Sequence, residues 1–337
     1  MIQTKTHPAV AIIGAGIAGI AAANALRDCA RVVVLEKSRG IGGRMSTRRA
    51  EGYRFDHGAR LFDCRNPRFT SLIDDCVEHE SVAPWSAHIH NGVSLSDAGF
   101  VNVKVSTPAM NSLVKALADG VDVRTGVQVA PIETRSTPGW MLHDLQGECL
   151  GVFDWVICTA PAPQTATLLQ QVSPIAAAVS QVRMQPTHAL MVGLRGHCPV
   201  SWDIALPERG PLAWISVDSN KPGRDPGAVS LLAQTRVEWS QWQLETDPNG
   251  LLPELIDALH QLLGFELGSV AYKAVHRWRY ASVDPATAVP LQLDVERQLA
   301  AGGDWCGESR VESAWLAGDA LGQRVAAAMT RTGEQNV

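Results

Sequence analysis

Short apolar runs separated by glycine-rich turns dominate the first part of the chain. Residues 10–13 are all apolar, which predicts a strand buried on both faces of a parallel sheet. The alanine-rich stretch 17–27 predicts a helix, and residues 31–36 predict a second buried strand. These three elements predict one β-α-β unit at the start of the chain.

The pattern changes in the middle of the chain, where tryptophans and alternating strands replace this rhythm. Residues 180–283 hold half of the ten tryptophans and one clear helix, 251–263. The predicted strands of this stretch are 189–194, 212–217, 229–235 and 270–278. They predict a separate α+β domain with a largely antiparallel sheet. Residues 286–300 are predicted to be a connecting segment, and 316–329 a helix.

Length and composition fit a globular protein of about two domains. The chain has 337 residues, of which 46% are hydrophobic and 19% charged. Its net charge of −5 gives no global basic field to hold nucleic acid or an anionic membrane. No apolar run approaches the ~18 residues of a transmembrane helix. We therefore expect neither a nucleic-acid partner nor a membrane partner.

The cysteines and the N-terminus bear on the cellular compartment. Seven cysteines occur without a C-x-x-C pair, so we expect neither a disulfide framework nor a metal site. The first residues run straight into the apolar strand, and we expect no signal peptide. A reducing, cytoplasmic location is the expectation that fits both features.

The first turn carries a dinucleotide-binding fingerprint. Gly14-Ala15-Gly16-Ile17-Ala18-Gly19 fits G-x-G-x-x-G between a predicted strand and a predicted helix, and Glu36 ends the next strand 22 positions after the first glycine. Gly14 makes the tight turn, Gly16 admits a pyrophosphate to the backbone, and Gly19 lets helix and strand pack closely. Glu36 would accept ribose hydroxyls, and the helix N-terminus would face the phosphate. The alternative is a glycine-rich turn with an unrelated acid nearby.

The following loop indicates which dinucleotide binds. Residues 37–45 place Gly42-Gly43-Arg44 just after the acidic position. A second glycine pair allows another backbone approach, and Arg44 can neutralise pyrophosphate charge; otherwise Arg44 is a solvated surface charge. This arrangement resembles the extended FAD fingerprint of the flavin amine oxidase superfamily.

The resemblance extends along the chain. Residues 55–60 resemble the segment that lies along the flavin, 127–129 a strand whose backbone meets the adenine, and 156–161 a strand and turn beside the cofactor. Residues 302–305 followed by 310–314 resemble the C-terminal flavin motif. There Asp304 would meet the ribityl–phosphate region, unless it is an ordinary turn or N-cap aspartate. A helix N-terminus after it would stabilise the negative charge of reduced flavin.

The glycine fingerprint, the loop after it and the segments that resemble flavin motifs together predict which residues contact the cofactor. We expect FAD to bind without a covalent link. The predicted FAD-binding residues are Gly14, Ala15, Gly16, Ile17, Ala18, Gly19, Glu36, Lys37, Gly43, Arg44, Met45, Gly58, Ala59, Arg60, Val129, Thr159, Ala160, Asp304, Val311, Glu312 and Ala314.

Within this superfamily the chain is most similar to the renalase-like branch, especially its bacterial members. The matching segments are 56–59, 219–225, 274–281 and 303–318. One departure is clear: the family usually has Gly-Ala-Gln-Tyr beside the flavin, whereas this chain has Gly58-Ala59-Arg60-Leu61. Leu61 cannot donate the hydrogen bond of a tyrosine, and Arg60 adds a charge beside it.

The resemblance also implies a substrate pocket formed by Leu61, Asn220, His276 and Trp278. His276 and Trp278 alternate on a predicted strand and so share one face. That face could floor the site, or it could be core packing around a satisfied histidine. Asn220 could bind a carboxamide, or it could form a turn with Lys221-Pro222-Gly223.

The resemblance implies oxidation of dihydronicotinamide compounds, notably the 2- and 6-dihydro isomers of NAD(P). A hydride would pass to flavin N5, and dioxygen would reoxidise the flavin with release of hydrogen peroxide. Such a step needs orientation more than a base, so no acid or base residue is assigned. The alternatives are a flavin amine oxidase or other oxidoreductase of the superfamily, and a non-catalytic FAD-binding module. The chain has only three tyrosines, which argues against an ordinary monoamine oxidase.

The predicted fold class is α/β, with a Rossmann-like FAD-binding domain and a second, α+β substrate domain whose sheet is mainly antiparallel. The FAD domain is predicted to be discontinuous, from residues 1–70, 105–174 and 286–337. The substrate domain is predicted from residues 71–104 and 175–285.

Overall fold

A computed structural model describes residues 7–92, 94–133 and 139–335. The chain divides into two compact units, each assembled from separate stretches. Unit 1 comprises Met1–Gly43, Val114–Met184 and Ser282–Val337, and unit 2 comprises Arg44–Leu113 and Gln185–Ala281.

The regular elements are numbered in chain order. The α-helices are α1 Ile17–Leu26, α2 Pro67–Glu78, α3 Ser112–Leu117, α4 Ala162–Leu169, α5 Ile175–Val179, α6 Val237–Trp242, α7 Leu252–Leu263 and α8 Val311–Gln335. The strands are β1 Ala9–Ile13, β2 Arg31–Glu36, β3 Arg48–Ala50, β4 Tyr53–Phe55, β5 Phe62–Asp63, β6 Val82–Pro84, β7 Val103–Ser106, β8 Asp122–Thr125, β9 Trp140–His143, β10 Cys149–Phe153, β11 Trp155–Cys158, β12 Met184–Leu194, β13 Ile204–Ala205, β14 Leu212–Val217, β15 Val229–Thr235, β16 Val270–Val283, β17 Gln292–Asp294 and β18 Leu299–Ala301.

Unit 1 is built on a six-stranded sheet of order β17-β18-β11-β1-β2-β8. Its strands run parallel except for β17, which is antiparallel to β18. All five residues of β1 are buried, as expected for a strand covered on both faces. Helix α8 packs closely on α1: a Cβ added to Gly318 would lie 2.0 Å from the Ala18 carbonyl oxygen. Only glycine permits this approach of the two helix backbones.

Unit 2 is built on a five-stranded sheet of order β13-β14-β15-β12-β16. The β13–β14, β14–β15 and β15–β12 pairings are antiparallel. One core lies under helix α7, around Leu255 and Leu259. A second core joins Tyr53 and Phe55 of β4 to Met191 and Leu232 of the large sheet.

The predicted fold class is confirmed: unit 1 has the Rossmann-like parallel sheet and unit 2 the mainly antiparallel one. Several details differ. Residues 286–300, predicted to be a connecting segment, contain β17 and the start of β18. These strands have only three residues each, too few to show a strand pattern in the sequence. Helices α4 and α5, which the sequence pattern did not predict, each follow a proline, a residue that suits the first turn of a helix. Helix α8 begins at Val311 rather than at residue 316.

The division of the chain also differs from the predicted one at its boundaries. Residues 44–70 and 105–113 lie in unit 2, whereas the predicted FAD domain included them. The reason is packing, because Phe55 is fully buried among residues of the large antiparallel sheet. Within the described residues, no helix has both the length and the apolar character needed to cross a membrane.

Candidate functional site

The β1–α1 turn has the geometry that the glycine fingerprint predicts. Gly14 has φ +112°, its amide donates to the Leu35 carbonyl at 2.9 Å, and its carbonyl accepts from the Thr159 hydroxyl at 3.1 Å. A Cβ on Gly19 would lie 1.9 Å from the Gly14 carbonyl oxygen. The first and third glycines are therefore required by the local backbone itself.

Gly16 differs from these two because it has open space beside it. A Cβ added there would meet no atom within 4 Å, although Gly16 immediately precedes Ile17, the first residue of α1. No side chain caps this helix start, so its first amides are available to a ligand. An open position in front of uncapped helix amides fits a pyrophosphate.

Glu36 sits beside this turn at the end of β2. It is buried, and its two carboxylate oxygens accept from the amides of Ala15 at 2.9 Å and Ser38 at 2.7 Å. Lys37, by contrast, is exposed and donates to Gln164 at 3.1 Å. Glu36 thus joins the two segments that would surround an adenosine ribose.

The remaining predicted contacts of unit 1 lie on neighbouring elements. Val129 is buried and forms an isolated antiparallel β-bridge with Asp144. After β11, the Thr159 amide donates to the Ile13 carbonyl at 2.9 Å, and Ala160 accepts from the indole of the fully buried Trp305 at 3.1 Å.

The C-terminal motif joins a buried aspartate to the start of the last helix. The Asp304 carboxylate accepts from the Ser309 hydroxyl at 3.2 Å, and that hydroxyl oxygen accepts from the Val283 amide at 2.6 Å. Helix α8 then starts at Val311, with Glu312 buried and Ala314 half-buried. The last helix therefore starts a short loop after Asp304, at Val311, where the resemblance implies a helix N-terminus.

In unit 2, the segment resembling the flavin-side motif packs tightly on the loop that carries Arg44. A Cβ on Gly58 would lie 2.0 Å from the Arg44 carbonyl oxygen, and the Ala59 amide donates to that same oxygen at 2.7 Å. The Arg44 guanidinium donates to the Ala281 carbonyl at 3.1 Å, and Met45 is buried. Gly58 is therefore needed for this contact.

Behind this segment lie four buried charged residues, Asp56, Asp218, Lys221 and Arg224, which we call the charge network. Lys221 Nζ lies 3.0 Å from Asp56 Oδ2 and 2.7 Å from Asp218 Oδ1, and Arg224 Nη2 lies 2.7 Å from Asp56 Oδ2. Asp218 also accepts from the Asp56 amide at 2.7 Å. Two positive and two negative groups thus neutralise one another inside the unit.

Burial and the neighbouring charges shift the pKa values of the two acids of the network in opposite directions. Burial raises the pKa of Asp56, but the charges of Lys221 and Arg224 and the Thr47 hydroxyl outweigh it and leave the pKa below its ordinary value. Burial also raises the pKa of Asp218, and there the attraction of Lys221 does not fully compensate. Segments 56–59 and 219–225 match the renalase-like branch in sequence, but the sequence alone does not show that Asp56 pairs with Lys221 and Arg224.

Directly after Asp56 comes an aromatic group formed by His57, His276 and Trp278, which we call the ring cluster. The ring centroids of His276 and Trp278 are 4.5 Å apart, and His57 lies 4.8 Å from His276 and 5.0 Å from Trp278. The Trp278 indole donates to the His57 carbonyl at 2.8 Å. The side chain of Gln234, which sequence analysis missed, donates to the same carbonyl at 3.1 Å.

Both histidines of the ring cluster are neutral at neutral pH. Burial lowers the pKa of His57 to about 4, helped by His276 and Arg48, and burial with Arg48 lowers the pKa of His276 to about 4. Among the described residues, His57 Nδ1 is buried without a hydrogen-bond partner. An unpartnered buried nitrogen in a native site calls for a water or a ligand group.

The other predicted pocket residues have different surroundings. The Arg60 guanidinium lies 4.4 Å from the Trp214 ring centroid, and burial lowers its pKa to about 10. Leu61 is half-buried. Asn220 is exposed, lies in the turn 218–220, and donates to Asp203 at 2.8 Å. The structure thus brings His276 and Trp278 together, whereas Asn220 has the contacts of a turn residue.

Family models match most of the chain. Residues 12–76 match the NAD(P)-binding Rossmann-like domain, and residues 94–329 match the flavin containing amine oxidoreductases. The chain belongs to the flavin-containing amine oxidoreductase family. FAD is its cofactor, and the open position at Gly16 beside the buried Glu36 is a fitting place for the dinucleotide.

Individual relatives are distant. The chain is 50% identical to Polyamine oxidase 3 of Oryza sativa subsp. japonica over 60 residues, which span 17% of this chain and only 12% of that relative. Among solved structures, reduced UDP-galactopyranose mutase aligns over 95% of this chain and 94% of its own, with 12% identity and a TM-score of 0.71. A putrescine oxidase triple mutant aligns over 97% of this chain and 99% of its own, with 13% identity and a TM-score of 0.68. These structural likenesses show a shared fold.

Proposed function

We propose that this flavin-dependent oxidoreductase oxidises dihydronicotinamide nucleotides, with the 2- and 6-dihydro isomers of NAD(P) as the substrate class. The substrate loses a hydride and becomes the aromatic nicotinamide cation, and dioxygen takes up the two electrons with two protons to give hydrogen peroxide. FAD, when bound, supplies the hydride acceptor at N5 and the route to dioxygen. The FAD-binding residues are proposed to be those predicted from the sequence.

The observation that carries the proposal is a neutral ring cluster with a cationic neighbour. His57, His276 and Trp278 offer flat, uncharged surfaces, and a dihydronicotinamide ring stacks on such surfaces. The Arg48 charge is close enough to lower the pKa of both histidines. Neutral rings beside a positive charge suit a flat ring that carries phosphate groups.

The same features disfavour a protonated amine as substrate. An amine arrives as a cation and is repelled by the Arg48 charge. Imidazoles with a pKa of about 4 are poor acceptors for its proton near neutral pH. A dihydronicotinamide needs no such base, because its ring becomes aromatic as the hydride leaves.

In this scheme the ring cluster orients the substrate rather than moving protons. Trp278 supplies a wall that is fixed by its hydrogen bond to the His57 carbonyl. Leu61, in the place of the family's usual tyrosine, is proposed to give the pocket an apolar side chain where the tyrosine would supply a hydroxyl.

Anaerobic mixing of the FAD-loaded protein with a panel of substrates tests the proposal. The panel contains the 2-, 4- and 6-dihydro isomers of NAD and NADP, together with putrescine, a longer polyamine and a monoamine. We expect rapid bleaching of the flavin absorbance by a dihydronicotinamide and slow or absent bleaching by the amines. Faster reduction by any amine than by every dihydronicotinamide would overturn the proposal.

A further inference from the structure

The β3–β4 hairpin of unit 2 carries an unneutralised positive patch. Arg48, Arg49 and Arg54 are all exposed. Among the described residues, none of the three forms an ion pair. Of the two acids nearby in sequence, Glu51 lies in the exposed turn of the hairpin, and Asp56 is buried and already paired with Lys221 and Arg224. This concentration of charge contrasts with the chain's net charge of −5.

The pairing register of the hairpin places two of these charges face to face. Arg49 lies directly opposite Arg54 across the antiparallel pair. Like charges at directly opposed positions destabilise a sheet. An anion bound at the hairpin would offset the repulsion between Arg49 and Arg54. Anion binding would therefore explain why two like charges face each other here.

Arg48 connects this patch to the ring cluster. It lies on the other face of the hairpin, opposite Phe55, and its Nε donates to the Tyr272 hydroxyl at 3.2 Å. Tyr272 stacks on Phe55 at 5.5 Å and shares a face of β16 with His276, four residues further along the strand. Four residues of strand span about 13 Å, so a ligand that touches both must extend well beyond one ring.

We propose that Arg48 binds the phosphate groups of a nucleotide whose nicotinamide ring lies at the ring cluster, and that Arg49 and Arg54, on the opposite face of the hairpin, add to the positive field at this site. Guanidinium groups hold phosphate oxygens through paired hydrogen bonds, and Arg48 is already oriented by Tyr272. The inference rests on the proposed function for the identity of the ring. Independently of that ring, phosphate binding at the β3–β4 hairpin is what determines how tightly the nucleotide binds.

Calorimetric titration of the FAD-loaded protein with oxidised nucleotides tests the site without turnover. The probes are NADP+, NAD+ and nicotinamide riboside, which carry three, two and no phosphate groups. We expect affinity to fall in that order and to weaken with added salt for the two phosphorylated probes. In Arg48→Gln, NAD+ should bind roughly tenfold to 100-fold more weakly, and in the triple variant with Arg49→Gln and Arg54→Gln more weakly still. Nicotinamide riboside should bind all variants alike.

Arg209→Gln is the matched control, because it removes an exposed arginine of the same unit away from the hairpin. It should leave all three affinities unchanged. The site is overturned if NAD+ does not bind the parent, if Arg48→Gln and Arg209→Gln bind NAD+ equally, or if the triple variant loses FAD. If NAD+ binding depends on the arginines but no dihydronicotinamide reduces the flavin, the phosphate site stands and the proposed function fails.

Discussion

The two units build their candidate sites in different ways. In unit 1 the site consists of backbone: a left-handed Gly14, a close approach at Gly19 and the uncapped start of α1, with Glu36 as the main side chain. In unit 2 it consists of side chains from distant parts of the chain. Lys221 and Asp56, for example, are 165 positions apart in sequence and 3.0 Å apart in space.

This difference explains why the candidate site of unit 1 can be predicted from the sequence and that of unit 2 largely cannot. A backbone site is encoded locally, since a few glycines and one acid fix the turn, the helix start and the ribose acceptor. A site made of side chains depends on which strands come together, and no local pattern records that. The same difference determines how each unit should respond to substitution.

The largest effect is expected from breaking the charge network. Lys221→Met removes the cation between Asp56 and Asp218, so Asp56 keeps its ion pair with Arg224 whereas the buried Asp218 loses its ion-pair partner. Breaking a buried ion pair in this way costs about 3–5 kcal/mol. We expect that loss in the free energy of unfolding, measured by urea titration.

The control removes one charge of each sign. Asp218→Asn combined with Lys221→Met leaves Asp56 paired with Arg224, so it should recover a large part of the stability lost by Lys221→Met alone. A single variant within 1 kcal/mol of the parent would mean that unit 2 tolerates an unbalanced charge in its interior.

The sequence predicted unit 1 in more detail than unit 2. The turn at Gly14 and the acid at Glu36 followed from spacing. The family resemblance implied a helix N-terminus after Asp304, whereas the residue pattern alone predicted the last helix only from residue 316. Sequence analysis also paired His276 with Trp278 correctly, because alternation along one strand is a local property. It missed the link between Asp56 and Lys221, which lie on segments with no common pattern.

Hydrogen-bond partners of backbone atoms were equally hidden from the sequence. Gln234, which holds the His57 carbonyl, has no feature that separates it from an ordinary strand glutamine. Arg48 belongs to no motif that the sequence analysis identified, and its connection to the ring cluster is visible only in the structure, through its contact with Tyr272 and its charge near His57 and His276.

The second prediction concerns Trp278, as a test of whether the side-chain site orients the substrate. Trp278→Ala removes a wall of the ring cluster, and misplacement of a substrate by ~1 Å can cost about 100-fold in rate. Flavin reduction by the best dihydronicotinamide should therefore slow by roughly that factor while FAD stays bound. Stopped-flow reduction and a thermal midpoint on the same variant provide the measurement.

Two control variants separate orientation from packing. Trp278→Phe keeps a flat wall and loses only the hydrogen bond to the His57 carbonyl, so it should reduce at an intermediate rate. Trp242→Ala changes a tryptophan that is 89% exposed and should behave like the parent. If Trp278→Ala loses about 3–5 kcal/mol of stability yet reduces normally, Trp278 belongs to the core rather than to the site.

The third prediction addresses the backbone site through its main side chain. Glu36→Ala removes the proposed acceptor for the adenosine ribose hydroxyls, and it leaves the Ala15 and Ser38 amides without that carboxylate. A charge-assisted hydrogen bond contributes ~1.5–3 kcal/mol, so FAD affinity should fall roughly 10- to 150-fold. Fluorescence titration of the apoprotein with FAD measures it. Asp122→Ala, an exposed acid on the neighbouring β8, should bind FAD like the parent.

The smallest effect is an acid sensitivity that arises from the side-chain site. Because the folded protein holds the pKa of His57 and His276 at about 4, below the ordinary 6.5, the unfolded chain binds protons that the folded chain does not. The stabilising contribution is complete above pH 6.5 and is lost as the pH falls toward 4. For His57, which is buried, the free energy of unfolding should fall by about 1–2 kcal/mol between pH 7 and pH 5, as measured by urea unfolding at the two pH values.

The double variant His57→Gln, His276→Gln should flatten this pH dependence of stability, leaving the part due to His188, whose pKa burial also lowers to about 4. His79→Gln, which changes an exposed histidine of the same unit, should leave it unchanged. An equally steep loss of stability in the double variant would show that these two imidazoles are not kept neutral by the fold.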